Sequence, residues 1–483
     1  KRHGIARAID TVCLMGDPTG RTLKGNERMK TILIIIASLL SIAQTSAQDI
    51  QPGKTNIIII MADDLGYGDL GSYNGKQKTP NLDQLAKEGM RFTDFHSSGT
   101  VCSPTRAGLI TGRYQHRSTV DGVVNADPKH PSHSFGVDPK SQITFPSLVK
   151  SQGYKTALIG KWHIGYQQRY HPMNFGFDRF VGFLSGNIDY ISHYDRQGTF
   201  DWWHNNEQVK EEGYSTHLIT KHATDFINAN KEKPFVLYVA HEAVHDPMQG
   251  PNSRIQRGPN KQKQDKNIKA SDVYKEVLTE LDISVGKIVE TVKRAGISHN
   301  TLILFTSDNG PMSLSSAGVL RGKKGSLFEG GHRVPTIAWW PNKIEQNTVN
   351  NQLATTLDIM PTILSLSGAS VPKDHQLDGI DLIPTFLGQQ ETKRELFWRN
   401  GGLTVKATSL LTKDKSKAMR SGKWKLVVSP YYKKSQLYDL SKDISEQHNV
   451  AKNHPDLVKE MTTKVKAWED KIIPYLPYKI ISK

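Results

Sequence analysis

Along the chain, short runs of apolar residues, several of them rich in β-branched side chains, each end in a polar cluster. Asn56-Ile57-Ile58-Ile59-Ile60-Met61 leads into Ala62-Asp63-Asp64, and Thr156-Ala157-Leu158-Ile159 leads into Gly160-Lys161-Trp162-His163. Pro234–Val239 runs into His241-Glu242-Ala243-Val244-His245, and Thr301–Phe305 into Thr306-Ser307-Asp308-Asn309-Gly310. Continuous apolar runs of this length suit parallel strands covered on both faces. Helical patterns lie between or beside them, over Asn81–Glu88, Phe145–Ser151, Ser215–Asn230 and Asp272–Ala295. The alternation predicts an α/β fold, a mostly parallel sheet flanked by helices. Ligands in such sheets bind beyond the carboxyl ends of the strands, where all four polar clusters fall. From about residue 390 the texture changes. Ala418–Val427 alternates like one antiparallel strand, Gln436–Leu440 like a second, and His454–Ile473 reads as a closing helix. This predicts a smaller C-terminal α+β domain over 391–483 beside a larger one over 48–390. There are no internal repeats, and the basic stretch Arg254–Lys269 reads as a solvated loop.

A chain of 483 residues with 37% hydrophobic and 23% charged positions fits two globular domains and excludes collagen, coiled coil and general disorder. The net charge is +16, of which the first 47 residues contribute seven Lys/Arg against three Asp/Glu. The rest is spread along the chain, with no basic arm or stripe. Such a field suits any polyanion, nucleic acid or acidic polysaccharide alike. Met29-Lys30 is followed by the apolar TILIIIASLLSIA and a small-x-small exit at Thr45–Ala47, the pattern of a secretory signal peptide over 29–47. A membrane anchor would need about 20 apolar residues. Residues 1–28 precede Met29, show no periodicity and read as a non-native upstream segment. Cys13 lies there, so the exported protein would carry a single cysteine, Cys102.

Cys102-Ser103-Pro104-Thr105-Arg106 places a nucleophile in the first turn of a helix, with Arg106 four residues on and on the same face. Asp63-Asp64 and Asp308-Asn309 offer three carboxylates and an amide oxygen, hard ligands suited to Ca²⁺ or Mg²⁺. Lys161 and His163 share one face if their segment is extended. His245 in His245-Asp246-Pro247, and Lys324 in Gly322-Lys323-Lys324-Gly325, add further candidates. Gly66-Tyr67-Gly68-Asp69-Leu70-Gly71 matches a dinucleotide fingerprint, but Asp63, Asp64 and Asp69 would set carboxylates against a pyrophosphate.

Cys102-Ser103-Pro104-Thr105-Arg106, with Leu109-Ile110-Thr111-Gly112-Arg113 after it, resembles the signature of the type I, formylglycine-dependent sulfatases. The similarity extends through Asp63-Asp64, Gly160–His163, His245-x-Pro247, Asp308-Asn309-Gly310, Lys324-Gly325…Glu329-Gly330-Gly331 and Leu437-Tyr438-Asp439-Leu440. It implies an alkaline-phosphatase-like fold. It also implies that a maturation enzyme oxidises Cys102 to formylglycine, whose hydrated aldehyde is the nucleophile. Asp63, Asp64, Asp308 and Asn309, completed by residue 102, match the family's calcium ligands. Arg106 would hold the hydroxyl, and Lys161 and Lys324 would bind the sulfate. His245 would protonate the leaving sugar oxygen, and His163 would take the proton that releases sulfate. Val244 stands where many members have proline, and His241 is a further candidate, either for the substrate subsite or for a share in the role of His245.

The resemblance makes the partners a sulfated carbohydrate, in the manner of bacterial polysaccharide sulfatases acting on ulvan or carrageenan, and the maturation enzyme. It implies neither nucleic acid nor a stable membrane anchor, and a periplasmic or secreted protein. Trp162, Trp202, Trp203, Trp339, Trp340 and Trp398 are aromatics that could stack on sugars or fill the core. Two other readings stay open: a formylglycine-dependent phosphonate or phosphate ester hydrolase, and an inactive glycan-binding relative.

Overall fold

The structure, a computed structural model, describes residues 52–259 and 270–472 apart from 313, 390, 401–415 and 430–434, together with Pro474. The leader-like stretch 29–47, the segment 1–28 and Cys13 lie outside the described residues, as does 260–269 of the basic loop. Among the described residues no helix is long and apolar enough to cross a membrane.

Ten strands form the main sheet, in the order Thr348–Asn350, Met90–Phe92, Thr336–Trp339, Thr301–Ser307, Asn56–Ala62, Phe235–Ala240, Lys155–Lys161, Arg179–Phe183, Trp203–His204 and Glu207–Gln208. The five strands from Thr301–Ser307 to Arg179–Phe183 run parallel. On one side Thr336–Trp339 joins antiparallel and is followed by Met90–Phe92 and Thr348–Asn350, which pair parallel to each other, while Trp203–His204 and Glu207–Gln208 close the other side antiparallel. Their apolar runs are continuous because both faces are covered. Ile57, Ile58, Ile59 and Ile60 are all buried, each worth about 1.5–3 kcal/mol relative to exposure. On one face, Ile58, Ile60, Leu237 and Ile303 belong to a core shared with Leu278, Leu281 and Val285 of the helix Ala270–Arg294. The helices Ser215–Asn230 and Phe145–Ser151 span the residues that their periodicity predicts.

Cys102–Thr111 is a helix buried along its whole length, ending at Gly112 in the left-handed region. The Gly66–Gly71 segment opens no α-helix, only the three-residue 3₁₀ turn Gly71–Tyr73, and Asp69 Oδ2 accepts from the Gly66 amide at 2.8 Å. The C-terminal sheet has four antiparallel strands, Glu395–Arg399, Lys417–Ser421, Trp424–Val428 and Gln436–Asp439. The single strand expected over 418–427 is therefore two. Gly422, at φ 53°, turns the chain so that Ser421 pairs with Trp424, which alternation alone does not reveal. One face of this sheet packs Met419, Leu426 and Leu437 on Met461 and Val465 of the helix Pro455–Ile472. The other packs Trp398 and Tyr438 on Leu327 and Phe328.

Candidate active site

The four polar clusters meet because their strands are neighbours in the sheet. Backbone bonds knit them together beyond the strand ends. Asp63 N donates to Ala243 O at 3.0 Å, Val244 N to Asp63 O at 2.9 Å, and Asp308 N to Ala62 O at 3.2 Å. Asp64 and His163 take φ of 61° and 59°, left-handed conformations costly for a side-chain-bearing residue and characteristic of functional sites. Gly310 lies so close to the Glu329-Gly330-Gly331 turn that a Cβ there would sit 1.9 Å from Gly330 O.

The floor is a buried lattice of opposite charges. Arg106 donates through Nε and Nη2 to Asp308 Oδ2 at 3.0 and 2.8 Å, and through Nη1 to Lys161 O at 3.3 Å. Lys161 Nζ lies 2.5 Å from Asp63 Oδ2, and Lys324 Nζ lies 2.6 Å from Asp64 Oδ1. Three carboxylates thus face three cations. Asp63, Asp64, Cys102 and His245 each place a ligand-type atom within 4.8 Å of the others. Asp63 Oδ1, Asp64 Oδ2 and Asn309 Oδ1 are buried with no hydrogen-bond partner. His245 Nε2 is 3.4 Å from Asp64 Oδ2. Unpartnered buried acceptors of this kind are costly unless something positive meets them, and all are hard oxygen donors, so the set fits a divalent cation.

Cys102 sits in the first turn of its helix, buried, and burial pushes its thiol up to about 11, against the pull of Lys161 and Lys324. A thiol so held is a poor nucleophile at neutral pH. His163 Nε2 bonds Val124 O at 3.0 Å, which leaves Nδ1 as a buried acceptor without a partner. Burial, then Lys161 and Arg106, hold His163 well below the usual histidine range, so it is a neutral base. His245 Nδ1 lies 2.7 Å from Asp246 O and 3.2 Å from Asn187 Nδ2.

Cys102, His163, His245 and Lys324 line one cavity of about 460 Å³, together with Tyr166, Asn187, Arg196 and Gln197. A larger cleft of about 780 Å³ between Ser215–Asn230 and Ala270–Arg294 touches none of these groups. Two expectations need correcting. His241 is fully buried, lines no part of this cavity, and has Nε2 3.0 Å from Ser284 Oγ on the helix Ala270–Arg294. Its neighbour Glu242 is also fully buried and accepts from Ile188 N at 2.6 Å, so this stretch contributes His245 alone to the cavity. Lys161 and His163 come together not through an extended segment but through the left-handed turn at His163. Five of the six tryptophans, all but Trp203, are core. The cavity's aromatic is Tyr166, stacked on His133 with ring centroids 5.2 Å apart. Tyr166, Asn187, Arg196, Gln197 and the Val124 carbonyl carry no local motif, and only the fold reveals them.

Residues 55–369 match the Sulfatase family, and 323–471 match the family of the N-sulphoglucosamine sulphohydrolase C-terminal region. The chain is 35% identical over 400 residues to the N-acetylgalactosamine-6-sulfatase of Mus musculus, covering 78% of this chain and 74% of that one. It is 32% identical over 413 residues to arylsulfatase G of Rattus norvegicus, covering 74% of each. Among solved structures, Ps i-CgsB superposes with a TM-score of 0.76 at 31% identity, over 86% of this chain and 92% of that one. That protein has also been solved in complex with k-i-k-neocarrahexaose. The buried acidic floor, the cysteine at a helix start and these likenesses agree: the chain belongs to the type I sulfatases of the alkaline-phosphatase superfamily and is a sulfuric ester hydrolase.

Proposed function

We propose that this sulfatase hydrolyses sulfate monoesters on a sulfated glycan of the algal ulvan or carrageenan class and releases inorganic sulfate. It would use formylglycine at position 102, made by a maturation enzyme, and a calcium ion. The observation that carries the reading is the set of unpartnered oxygens on Asp63, Asp64 and Asn309 directly beside Cys102, at the floor of a cavity edged by His163, His245 and Lys324. The complex of Ps i-CgsB with a neocarrahexaose supports the carrageenan class. The leader-like stretch 29–47 supports export to the periplasm or beyond. We assign 48–390 to the catalytic part and 391–483 to a C-terminal part.

Asp63, Asp64, Asp308 and Asn309, with residue 102, would hold the cation. When present, the aldehyde hydrate at 102 supplies the attacking oxygen and the cation supplies charge neutralisation. The chain's own groups do the rest. Six fixed charges already cancel on the floor, so a divalent cation makes it net positive, as an anionic ester requires. Lys161 and Lys324 meet the equatorial sulfate oxygens, where charge grows in the transition state. Arg106, clamped by Asp308, fixes the orientation at residue 102. His245, facing the cavity through Nε2, carries the proton for the departing sugar oxygen. His163 Nδ1, neutral and free to accept, takes the proton whose removal lets sulfate leave.

The test is peptide mass spectrometry on protein co-expressed with a formylglycine-generating enzyme. The expected result is a loss of about 18 Da at Cys102, thiol exchanged for aldehyde oxygen. Cys102→Ser and Cys102→Ala should each abolish multiple turnover. An unmodified thiol alongside a working maturation control, or normal steady-state turnover in either variant, would overturn the reading. A phosphonate monoester cleaved faster than its sulfate counterpart would shift it to phosphonate hydrolysis.

A further inference from the structure

One guanidinium group, Arg196, lines the cavity, and a second, Arg257, reaches it through Asn187; among the described residues neither has a carboxylate within ion-pair distance. Arg196 is exposed. Arg257, half-buried, donates through Nη1 to neutral oxygens, Asn187 Oδ1 at 2.6 Å and Asn187 O at 3.4 Å. The carboxylates nearby are already committed to holding the backbone. Asp195 Oδ1 accepts from the amides of Gln197 and Thr199, both at 2.8 Å. Asp189 Oδ2 accepts from the amides of Gln256 at 2.6 Å and Arg257 at 2.8 Å. Glu242, Asp189 and Asp195 act on the Arg257 guanidinium only from a distance, while burial and Arg196 oppose its charge.

The turn that presents Arg196 is pinned. Tyr194 and Phe200 bridge antiparallel across it, Asp195 N donates to Thr199 O at 2.8 Å, and Gly198 takes a φ of 78°. Buried cations are ordinarily paired, because desolvating a charge without compensation is expensive. Two like charges that repel each other, one of them half-buried, keep part of that cost until an anion arrives. Asn187 links the pair to the reacting end of the cavity, since its amide joins Arg257 to His245.

We propose that Arg196, backed by Arg257, forms a second anion subsite, so that the substrate carries another oxyanion close to the scissile sulfate. That group is a second sulfate on the same sugar or the carboxylate of a neighbouring uronic acid. The inference rests on the sulfatase reading of the cavity and adds the charge pattern of the glycan that enters it.

The experiment uses matured enzyme hydrolysing 4-methylumbelliferyl sulfate, with inhibition constants measured for four probes. These are inorganic sulfate, methyl galactoside 6-sulfate, methyl galactoside 2,6-disulfate, and a disaccharide of glucuronate and N-acetylgalactosamine 6-sulfate. The wild type should bind at least one doubly anionic probe about tenfold more tightly than the monosulfated sugar, and Arg196→Ala should reduce that preference about tenfold, Arg196→Glu further. The arm that responds, disulfate or uronate, identifies the source of the second anion. Equal shifts for singly and doubly anionic probes, or no preference in the wild type, would overturn the subsite. Failure of the sulfatase reading appears separately, as no aryl sulfate hydrolysis by protein with verified formylglycine. Calorimetric binding of the same probes to Cys102→Ala then still reads the subsite.

Discussion

Arg106 shows how much one side chain carries. Its Nε and Nη2 share Asp308 Oδ2 while Nη1 reaches the Lys161 carbonyl, a fork that a lysine cannot reproduce. Arg106→Lys should keep the charge yet lower kcat by about 10²-fold or more, the scale of losing one preorganised charge-stabilising donor. Steady-state kinetics on an aryl sulfate check this, and a loss of under about threefold would remove Arg106 from the clamp we assign it. The unpartnered oxygens of Asp63, Asp64 and Asn309 give a second expectation. Ca²⁺ at a hundredfold excess over its Kd should stabilise the protein by about 2.7 kcal/mol, read as a rise in Tm after chelator treatment and re-addition. Asp63→Asn should shrink that rise, and a wild-type Tm indifferent to Ca²⁺ would count against the site. At this scale the sequence was legible wherever chemistry is compressed into a motif: Asp63-Asp64, Cys102 to Arg106, and Asp308-Asn309. It was not legible where a partner is supplied across space. Asn187 meets His245 from 58 residues away, and Val124 offers only a carbonyl to His163.

Elements explain both the accuracy and the errors of the sequence reading. Buried parallel strands announce themselves as apolar runs, and their order in the sheet delivers the polar ends to one place. A hairpin inside an alternating stretch does not announce itself, because period two continues through the turn at Gly422. His241 was misplaced for a related reason: it follows a strand end as Asp63, His163 and Asp308 do, but its side chain points to Ser284. The turn Glu329–His332 carries a denser example of coupling between elements. Glu329 Oε1 lies 2.8 Å from Lys425 Nζ, and Oε2 accepts from Arg420 at 3.0 Å and Arg333 at 3.1 Å. Burial alone would raise its pKa, but Lys425 and Arg420 hold the carboxyl well below the ordinary glutamate range. Glu329→Gln leaves buried cations without their counter-charge and should cost about 3–5 kcal/mol in urea unfolding. The sign of the pH effect follows. Because folding lowers this pKa, the stabilisation is complete above the unfolded value near 4.5 and is lost as pH falls towards the depressed one. Wild type should therefore weaken below pH 4.5 more steeply than Glu329→Gln, and parallel profiles would place the acid sensitivity elsewhere.

The same charges tie the C-terminal sheet to the reacting cavity, which decides how the whole molecule should respond to truncation. The sheet strand Lys417–Ser421 contributes Arg420, which also bonds Asp94 at 2.8 Å, and Trp424–Val428 contributes Lys425. From the strand Glu395–Arg399, Arg399 lies 3.4 Å from Asp121 and 2.9 Å from Glu469 on the closing helix. Glu446 accepts from the Glu329 amide at 2.7 Å while its carbonyl accepts from Arg321 at 2.7 Å, so the loop bearing Lys324 is held from the C-terminal side. Trp398 stacks on His332 with centroids 4.1 Å apart. The described residues from Pro52 onward accordingly form one compact unit. A protein cut at residue 390 would expose Leu327, Phe328 and Leu353 and strip Glu329 and Asp94 of Arg420 and Lys425. Losing one partner of a single buried pair already costs about 3–5 kcal/mol, a large part of the 5–15 kcal/mol that keeps a typical domain folded. The 48–390 fragment should therefore fail to give a soluble, cooperatively unfolding species, whereas the longer chain should melt in one transition for both parts. Calorimetry of the longer chain and solubility of the fragment decide the matter together. A fragment that folds alone with a Tm near that of the parent would mean that the catalytic sheet, not the charged seam, carries the stability, and that the C-terminal part serves only to position Lys324.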